Sequence, residues 1–422
     1  MKFETTAVQG FIDLEKQNHS VSHPIYANTA YSFDSVDYAV NLFDLKQAGD
    51  IYTRLTNPSN DIVEKRIAAL EGGIGALSAS SGMSAILIAI LNIAECGDEI
   101  VSTDKIYGGT YNLFLKTFKQ MGIKVKLISS SNLEDWEAQI TPKTKCLYTE
   151  TITNPTINVA DIEPLAKLAH KYAIPLIVDN TVATPYLCRP FEYGADIVVH
   201  STTKYLSGHG NAMGGVIVDS GKFDWSQNEN FKMFTTPDES YHGIIYNKEF
   251  GSAAYIAKCR AHLIRDLGCC QSPFNSYLTM LGLETLHVRM DRHCENALKL
   301  ATYLSNHPDI NYVHYPLLKT SPDYALAQKY LPHGASSLLA FGIKGDGTKF
   351  IEALKLFIHA TNLGDVRSII TYPAGTTHRQ LSDEQLIQAG ISKDFMRASV
   401  GIENIDDIIE DVEQAIACAV KK

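Results

Sequence analysis

The chain has 422 residues, enough for two to three domains of average size. Apolar residues make up 45% and charged residues 20%, ordinary globular values that exclude disordered and collagen-like classes. The net charge of −10 is spread along the chain with no basic block, which argues against nucleic acid as a partner.

The first sixty residues are polar, aromatic and irregular, and lead to Tyr52-Thr-Arg54-Leu-Thr-Asn-Pro-Ser-Asn60. They read as an arm that docks elsewhere. From Asp61 an alternation begins, with a helix at Ile62–Leu70, a strand at Ala76–Ala79 and an apolar helix from Ser80 to Ala94. Strand-like runs follow at 99–102, 124–128, 145–149, 176–178, 197–199 and 214–218, several of them separated by helical stretches such as 164–171. Short apolar runs between helices predict a buried parallel sheet covered on both faces. Residues 221–252 lack a period, and so long a connection suggests a functional loop. Beyond them, helices at 255–266 and 283–305, strand-like runs and a closing helix at 405–419 predict a smaller α+β domain. The predicted organisation is an arm at 1–60, a large domain at 61–255 and a C-terminal domain at 256–422.

No apolar run approaches the roughly 18–20 residues of a membrane-spanning helix. The start, MKFETTAVQGFIDLEK, lacks the apolar stretch of a secretory signal. None of the eight cysteines forms a C-x-x-C pair, which predicts reduced thiols in the cytoplasm and no metal site.

Three pieces carry chemistry. In the first, Asp196-Ile-Val-Val-His-Ser201-Thr-Thr203-Lys204, an apolar strand ends in hydroxyls and a lysine. Alone, such a lysine reads as a solvated loop residue. In the second, Leu176-Ile-Val-Asp179, a carboxylate ends a buried strand, where open α/β sheets bind ligands. Alone, it reads as a helix cap. In the third, Ser80-Ser-Gly82-Met83-Ser84, a small-residue turn opens a helix and presents amides to an anion. Alone, it also serves as an ordinary cap. Together they describe a pocket for pyridoxal 5'-phosphate, which needs a lysine, a carboxylate at its ring nitrogen and phosphate donors. These are Lys204, Asp179, and the Gly82 and Met83 amides with Ser201 and Thr203. No dinucleotide or phosphate-loop glycine motif follows an early strand.

With these residues in order, the chain resembles the Cys/Met-metabolism pyridoxal-phosphate enzymes over nearly its whole length. The resemblance implies the fold type I (aspartate-aminotransferase-like) architecture, with a large parallel-sheet domain and a smaller C-terminal α+β domain. It implies that Tyr52 and Arg54 reach the cofactor phosphate of a neighbouring subunit, that Asn154 lies near the ring hydroxyl and that Tyr107 stacks on the ring and can assist proton transfer. It assigns substrate binding to Arg397, Asn362 and Thr377, with Arg397 gripping the α-carboxylate. It also implies a homotetramer built from catalytic dimers.

Within the family the chain is most similar to the branch that joins O-acetylhomoserine to sulfide. Supporting stretches are Tyr107-Gly-Gly-Thr-Tyr-Asn-Leu-Phe114, Ile264-Arg-Asp-Leu-Gly268 with Ser272-Pro-Phe-Asn275, Asn362-Leu-Gly-Asp365, and the loop at 221–252. Methionine γ-lyases usually carry cysteine where this chain has Gly109, and cystathionine γ-synthases usually carry serine where it has Asn362. Pro373-Ala-Gly375 departs from the family's Pro-Ala-Ser, and Ala398 stands where a bulky aliphatic is common. The implied reaction is a γ-replacement giving homocysteine and acetate. A non-catalytic, nucleotide-binding α/β regulator is the reading of another class; it would not need Asp179 and Lys204 in this order.

Overall fold

A computed structural model of the chain describes residues 1–373, Thr376 and residues 392–421. Two sheets organise it. The first holds β1 (Gly75–Ala79), β2 (Glu99–Thr103), β3 (Lys124–Ile128), β4 (Thr144–Glu150), β5 (Leu176–Asp179), β6 (Ile197–His200) and β7 (Gly215–Asp219), in the order β1-β7-β6-β5-β4-β2-β3. Its central strands read as continuous apolar runs because helices cover both faces. The second holds β8 (Ile310–His314), β9 (Leu338–Ile343), β10 (Ile358–His359), β11 (Ile369–Thr371) and β12 (Phe395–Ser399), in the order β10-β11-β12-β9-β8.

The first sheet is mixed rather than wholly parallel. β7 runs antiparallel to both β6 and β1. The β6–β7 connection holds the Lys204 loop and no crossover helix, so the chain folds straight back. The parallel strands β4, β5 and β6 lie side by side, with Glu150 in register with Asp179 and Asp179 with Val199. Their C-terminal ends therefore open on one crevice.

Helix α1 (Phe3–Gln9) and helix α2 (Val36–Phe43) lie in the segment expected to be irregular. Helix α3 (Pro58–Glu71) starts where the Asn57 side chain accepts the Ser59 amide at 2.9 Å, and stops at Gly72 with φ +82°. Helix α4 (Gly82–Leu91) starts at Ser81, whose Oγ accepts the Ser84 amide at 3.1 Å.

A 20-residue helix, Leu286–Ser305, ties the two sheets together. Its Arg289 donates to the Tyr205 carbonyl at 2.8 Å, beside the first sheet. Its His293 Nδ1 lies 2.7 Å from the Val400 carbonyl, just past β12. Residues 254–284 pack with the first sheet's unit: Asn60 donates to the Gln271 carbonyl at 3.1 Å, and Ser276 donates to Asn60 Oδ1 at 2.6 Å.

The stretch 221–252 is anchored by a few buried aromatic residues. Trp225 is buried among Phe231, Phe234 and Tyr255, with the Tyr255 ring stacked 5.1 Å away. Irregular aromatic spacing concealed this anchoring, because a compact cluster needs no helical or strand period. All eight cysteines are free. Among the described residues, no helix is long and apolar enough to cross a membrane.

Candidate active site

The loop after β6 is built to present Lys204. The Ser201 amide donates to Thr181 Oγ1 at 2.8 Å, and a turn closes with the Gly208 amide donating to the Lys204 carbonyl at 2.7 Å. Gly208 has φ +74°, and a Cβ there would lie 2.2 Å from Arg289 Nη1. Glycine is therefore required on both conformational and steric grounds. Lys204 Nζ donates to Asn362 Oδ1 at 2.7 Å. Burial, and then the nearby Arg397 charge, bring its pKa down to about 8.

Arg397 comes from β12. Its Nη1 donates to Asn154 Oδ1 at 2.9 Å and its Nη2 to the Asn362 carbonyl at 2.8 Å, while Nε has no partner among the described residues. Burial lowers its pKa to about 10. A guanidinium whose two bonded partners are neutral is chemically suited to a carboxylate.

Asp179 ends β5. Its Oδ1 accepts the Thr181 amide at 2.9 Å, and the Tyr148 hydroxyl lies 3.5 Å from Oδ2. Burial raises its pKa, opposed first by the bonds from Thr181. Neighbouring Glu150 is pushed well above the usual carboxylate range, by burial and then by the Asp179 charge. Its two oxygens accept the Tyr107 amide at 2.7 Å and the Asn154 amide at 3.2 Å.

The start of α4 meets the lysine loop. A Cβ on Gly82 would lie 2.6 Å from Ser201 Cβ, and one on Gly215 would lie 2.1 Å from the Ser81 carbonyl oxygen. The Gly82 and Met83 amides stand in the first helical turn, where no intrahelical acceptor exists. The Thr203 hydroxyl donates to the Gly214 carbonyl at 3.2 Å and accepts its amide at 3.1 Å, so it braces the loop. A Cβ on Gly109 would lie 2.5 Å from Tyr107 Cε1 and 3.2 Å from Met83 Sδ. The Tyr107 ring thus folds over residue 109, and a cysteine there would force it to move.

The structure therefore brings together Gly82, Met83, Ser201, Thr203 and Lys204 at one end of the crevice, and joins Lys204 to Asn362, Arg397 and Asn154. Tyr52 and Arg54 stand apart and exposed, with the guanidinium 5.5 Å over the tyrosine ring. Among the described residues, neither makes a hydrogen bond or ion pair with this group. Thr377, Ala374 and Gly375 lie outside the described residues. Of the histidines flanking the lysine, His200 Nε2 lies 2.5 Å from buried Glu71, and His209 Nδ1 lies 2.7 Å from the Ser207 carbonyl. Sequence reasoning missed Glu150 and Thr181. Glu150 carried the same signal as Asp179, a carboxylate at the end of a buried strand.

These groups fit pyridoxal phosphate on structural grounds. Asp179 is a half-buried carboxylate with, among the described residues, no cation bonded to it, which suits a protonated ring nitrogen. The glycine-lined approach of α4 to Ser201 leaves a cradle that a side chain would fill.

The profile of the Cys/Met metabolism PLP-dependent enzyme family matches residues 4–417, and the chain belongs to this family. It is 46% identical over 427 residues to the O-acetyl-L-homoserine sulfhydrylase of Leptospira meyeri, covering 98% of this chain and 96% of that protein. It is 47% identical over 422 residues to the homocysteine synthase of Schizosaccharomyces pombe, covering 99% and 98%. A solved Campylobacter jejuni structure, described as an O-acetylhomoserine (thiol)-lyase and carrying a pyridoxyl-lysine monophosphate, superposes with a TM-score of 0.96 at 41% identity, covering 99% of this chain and all of that one.

Proposed function

We propose that this chain converts O-acetyl-L-homoserine and sulfide to L-homocysteine and acetate by γ-replacement, a step of methionine biosynthesis. The observation that carries the reading is Asn362, which holds Lys204 with its side chain and Arg397 with its carbonyl. A proton-transfer group and a carboxylate grip are thereby fixed relative to each other, as an α-amino acid requires.

When bound, pyridoxal phosphate supplies an aldehyde that takes up amines and a ring that withdraws electrons from the substrate α-carbon. Lys204 would hold the aldehyde, Asp179 the ring nitrogen, Asn154 the ring hydroxyl and Tyr107 the ring face. The Gly82 and Met83 amides and Ser201 would hold the phosphate, with Thr203 bracing the loop. Arg397 takes the substrate carboxylate through its guanidinium N–H groups. The Lys204 amine, with a pKa near 8, accepts the α-proton and can return it. Acetate leaves the γ-carbon with the bonding electrons, hydrosulfide forms the new carbon–sulfur bond, and the exchange is redox-neutral.

The test is a product assay with acetyl-, succinyl- and phosphohomoserine, each offered sulfide or cysteine. Homocysteine formed preferentially from the acetyl ester and sulfide is the expected result. Dominant cystathionine formation from the succinyl ester would replace this reading with that of a cystathionine γ-synthase.

The proposed assembly is a homotetramer of catalytic dimers in the cytoplasm, with the arm at 1–60 crossing to a neighbour and the cofactor held by the unit that starts at 61. Exposed Tyr52 and Arg54, and the exposed apolar residues Phe33, Val36, Val40 and Phe43 nearby, support it. Light scattering that gave a monomer for the active protein would remove it.

A further inference from the structure

We infer that Glu150 is a positioning residue: its carboxylate clamps the two loops that carry Tyr107 and Asn154, and so sets both the ring over the crevice and the grip on the substrate carboxylate. The inference rests on the pocket proposed above and deepens it.

The geometry is two-sided. Glu150 Oε1 accepts the Tyr107 amide at 2.7 Å, from a loop 43 residues away, and Oε2 accepts the Asn154 amide at 3.2 Å. A backbone amide donates only from where its main chain lies, so both loops are pinned at the residue that matters. The Tyr107 ring is about half exposed, so packing alone does not place it and the main-chain anchor does. On the other side the connection continues. Asn154 uses its amide for Glu150 and its Oδ1 for Arg397 Nη1, at 2.9 Å. One residue thus separates the buried carboxylate from the guanidinium.

The position is unfavourable for a carboxylate. Glu150 is 4% exposed, in register beside Asp179, and ion-paired with no cation among the described residues. Burial and the like charge both oppose its ionisation. Both oxygens accept N–H bonds, and these bonds partly offset that cost. A residue chosen for packing alone at so buried a position would be apolar. The two loops are what this carboxylate holds.

The test compares Glu150→Gln and Glu150→Asp with the wild-type protein. Four quantities are measured: thermal midpoint of the apoprotein, affinity of the apoprotein for pyridoxal phosphate by absorbance titration, and KM and kcat per bound cofactor. The glutamine sets an NH2 group against one of the two amides, and the aspartate reaches only one. In both variants the expected KM for the amino-acid substrate rises about tenfold, as for one lost charged hydrogen bond. Cofactor affinity falls with it, and the apoprotein midpoint changes little. If the midpoint drops while KM and kcat per bound cofactor hold in both variants, Glu150 is only structural. Unchanged values throughout overturn the inference as well. If wild-type turnover with O-acetylhomoserine and sulfide is absent, the failure belongs to the proposed function instead.

Discussion

Lys204 and Arg397 are joined through one asparagine: Asn362 Oδ1 receives Lys204 Nζ at 2.7 Å and its carbonyl receives Arg397 Nη2 at 2.8 Å. Two cations on neighbouring contacts repel, and that repulsion adds to burial in lowering the lysine pKa to about 8. The neutral amine is the nucleophile toward an aldehyde. The rate at which the apoprotein captures pyridoxal phosphate should therefore rise with pH through a midpoint near 8. Arg397→Met removes the repelling charge and should move that midpoint upward. It should also raise KM for the substrate about a hundredfold, because a buried charge pair loses one partner. Rapid-mixing absorbance across pH, with steady-state kinetics, measures both.

Asp179→Asn keeps an oxygen for the Thr181 amide, so the fold should persist. It removes the charge that a cationic ring nitrogen would face in a buried site. Turnover should fall by about a hundredfold or more, the scale of breaking a buried charge pair. Steady-state rates normalised to bound cofactor check this; near-normal rates would make Asp179 a cap of its own turn.

Arg54→Ala and Lys204→Ala should each be inactive alone and regain partial activity when reassembled together. If exposed Arg54 serves the neighbouring subunit, a mixed dimer holds one intact site and one site lacking both groups. Mixed tags that co-purify verify reassembly. Mixed oligomers no more active than the separate variants would show that Arg54 does not act in trans.

Asp219, at the end of β7, is buried, with Oδ1 accepting the Gly221 amide at 2.8 Å. Burial raises its pKa to about 7. The folded state therefore binds a proton that the unfolded chain releases at lower pH. The stability this group contributes is full below the unfolded value and is lost as pH rises through 7. Asp219→Asn should raise the thermal midpoint at pH 8 by an amount reflecting ~4 kcal/mol, the size of a shift of about three pKa units, and at pH 5 by roughly a third of that, because pH 5 lies only about one unit above the unfolded value. Calorimetry at the two pH values measures the difference.

Some features of this protein were legible because they are local. The apolar runs ending in Asp179 and Ser201 marked strand ends, and strand ends in an open α/β sheet face the ligand crevice. Lys204 and the small-residue turn at Gly82 followed from the same rule. Glu150 met that rule too, but nothing local showed that its carboxylate would meet the Tyr107 amide.

The pairings across the chain were decided by tertiary structure alone. Asn362 lies 158 residues from Lys204, and Asn154 lies 243 residues from Arg397. No periodicity encodes which distant loops touch, because that depends on how the two sheets pack about the helix Leu286–Ser305. The reversal of β7 and the burial of Trp225 were likewise set by packing. The sequence by itself determined the chemical groups and the strand ends that carry them, since those follow from local pattern and side-chain type. The structure decided their partners, and with them the lowered pKa of Lys204 and the neutral partners of Arg397. Desolvation and close charges exist only once the chain is folded.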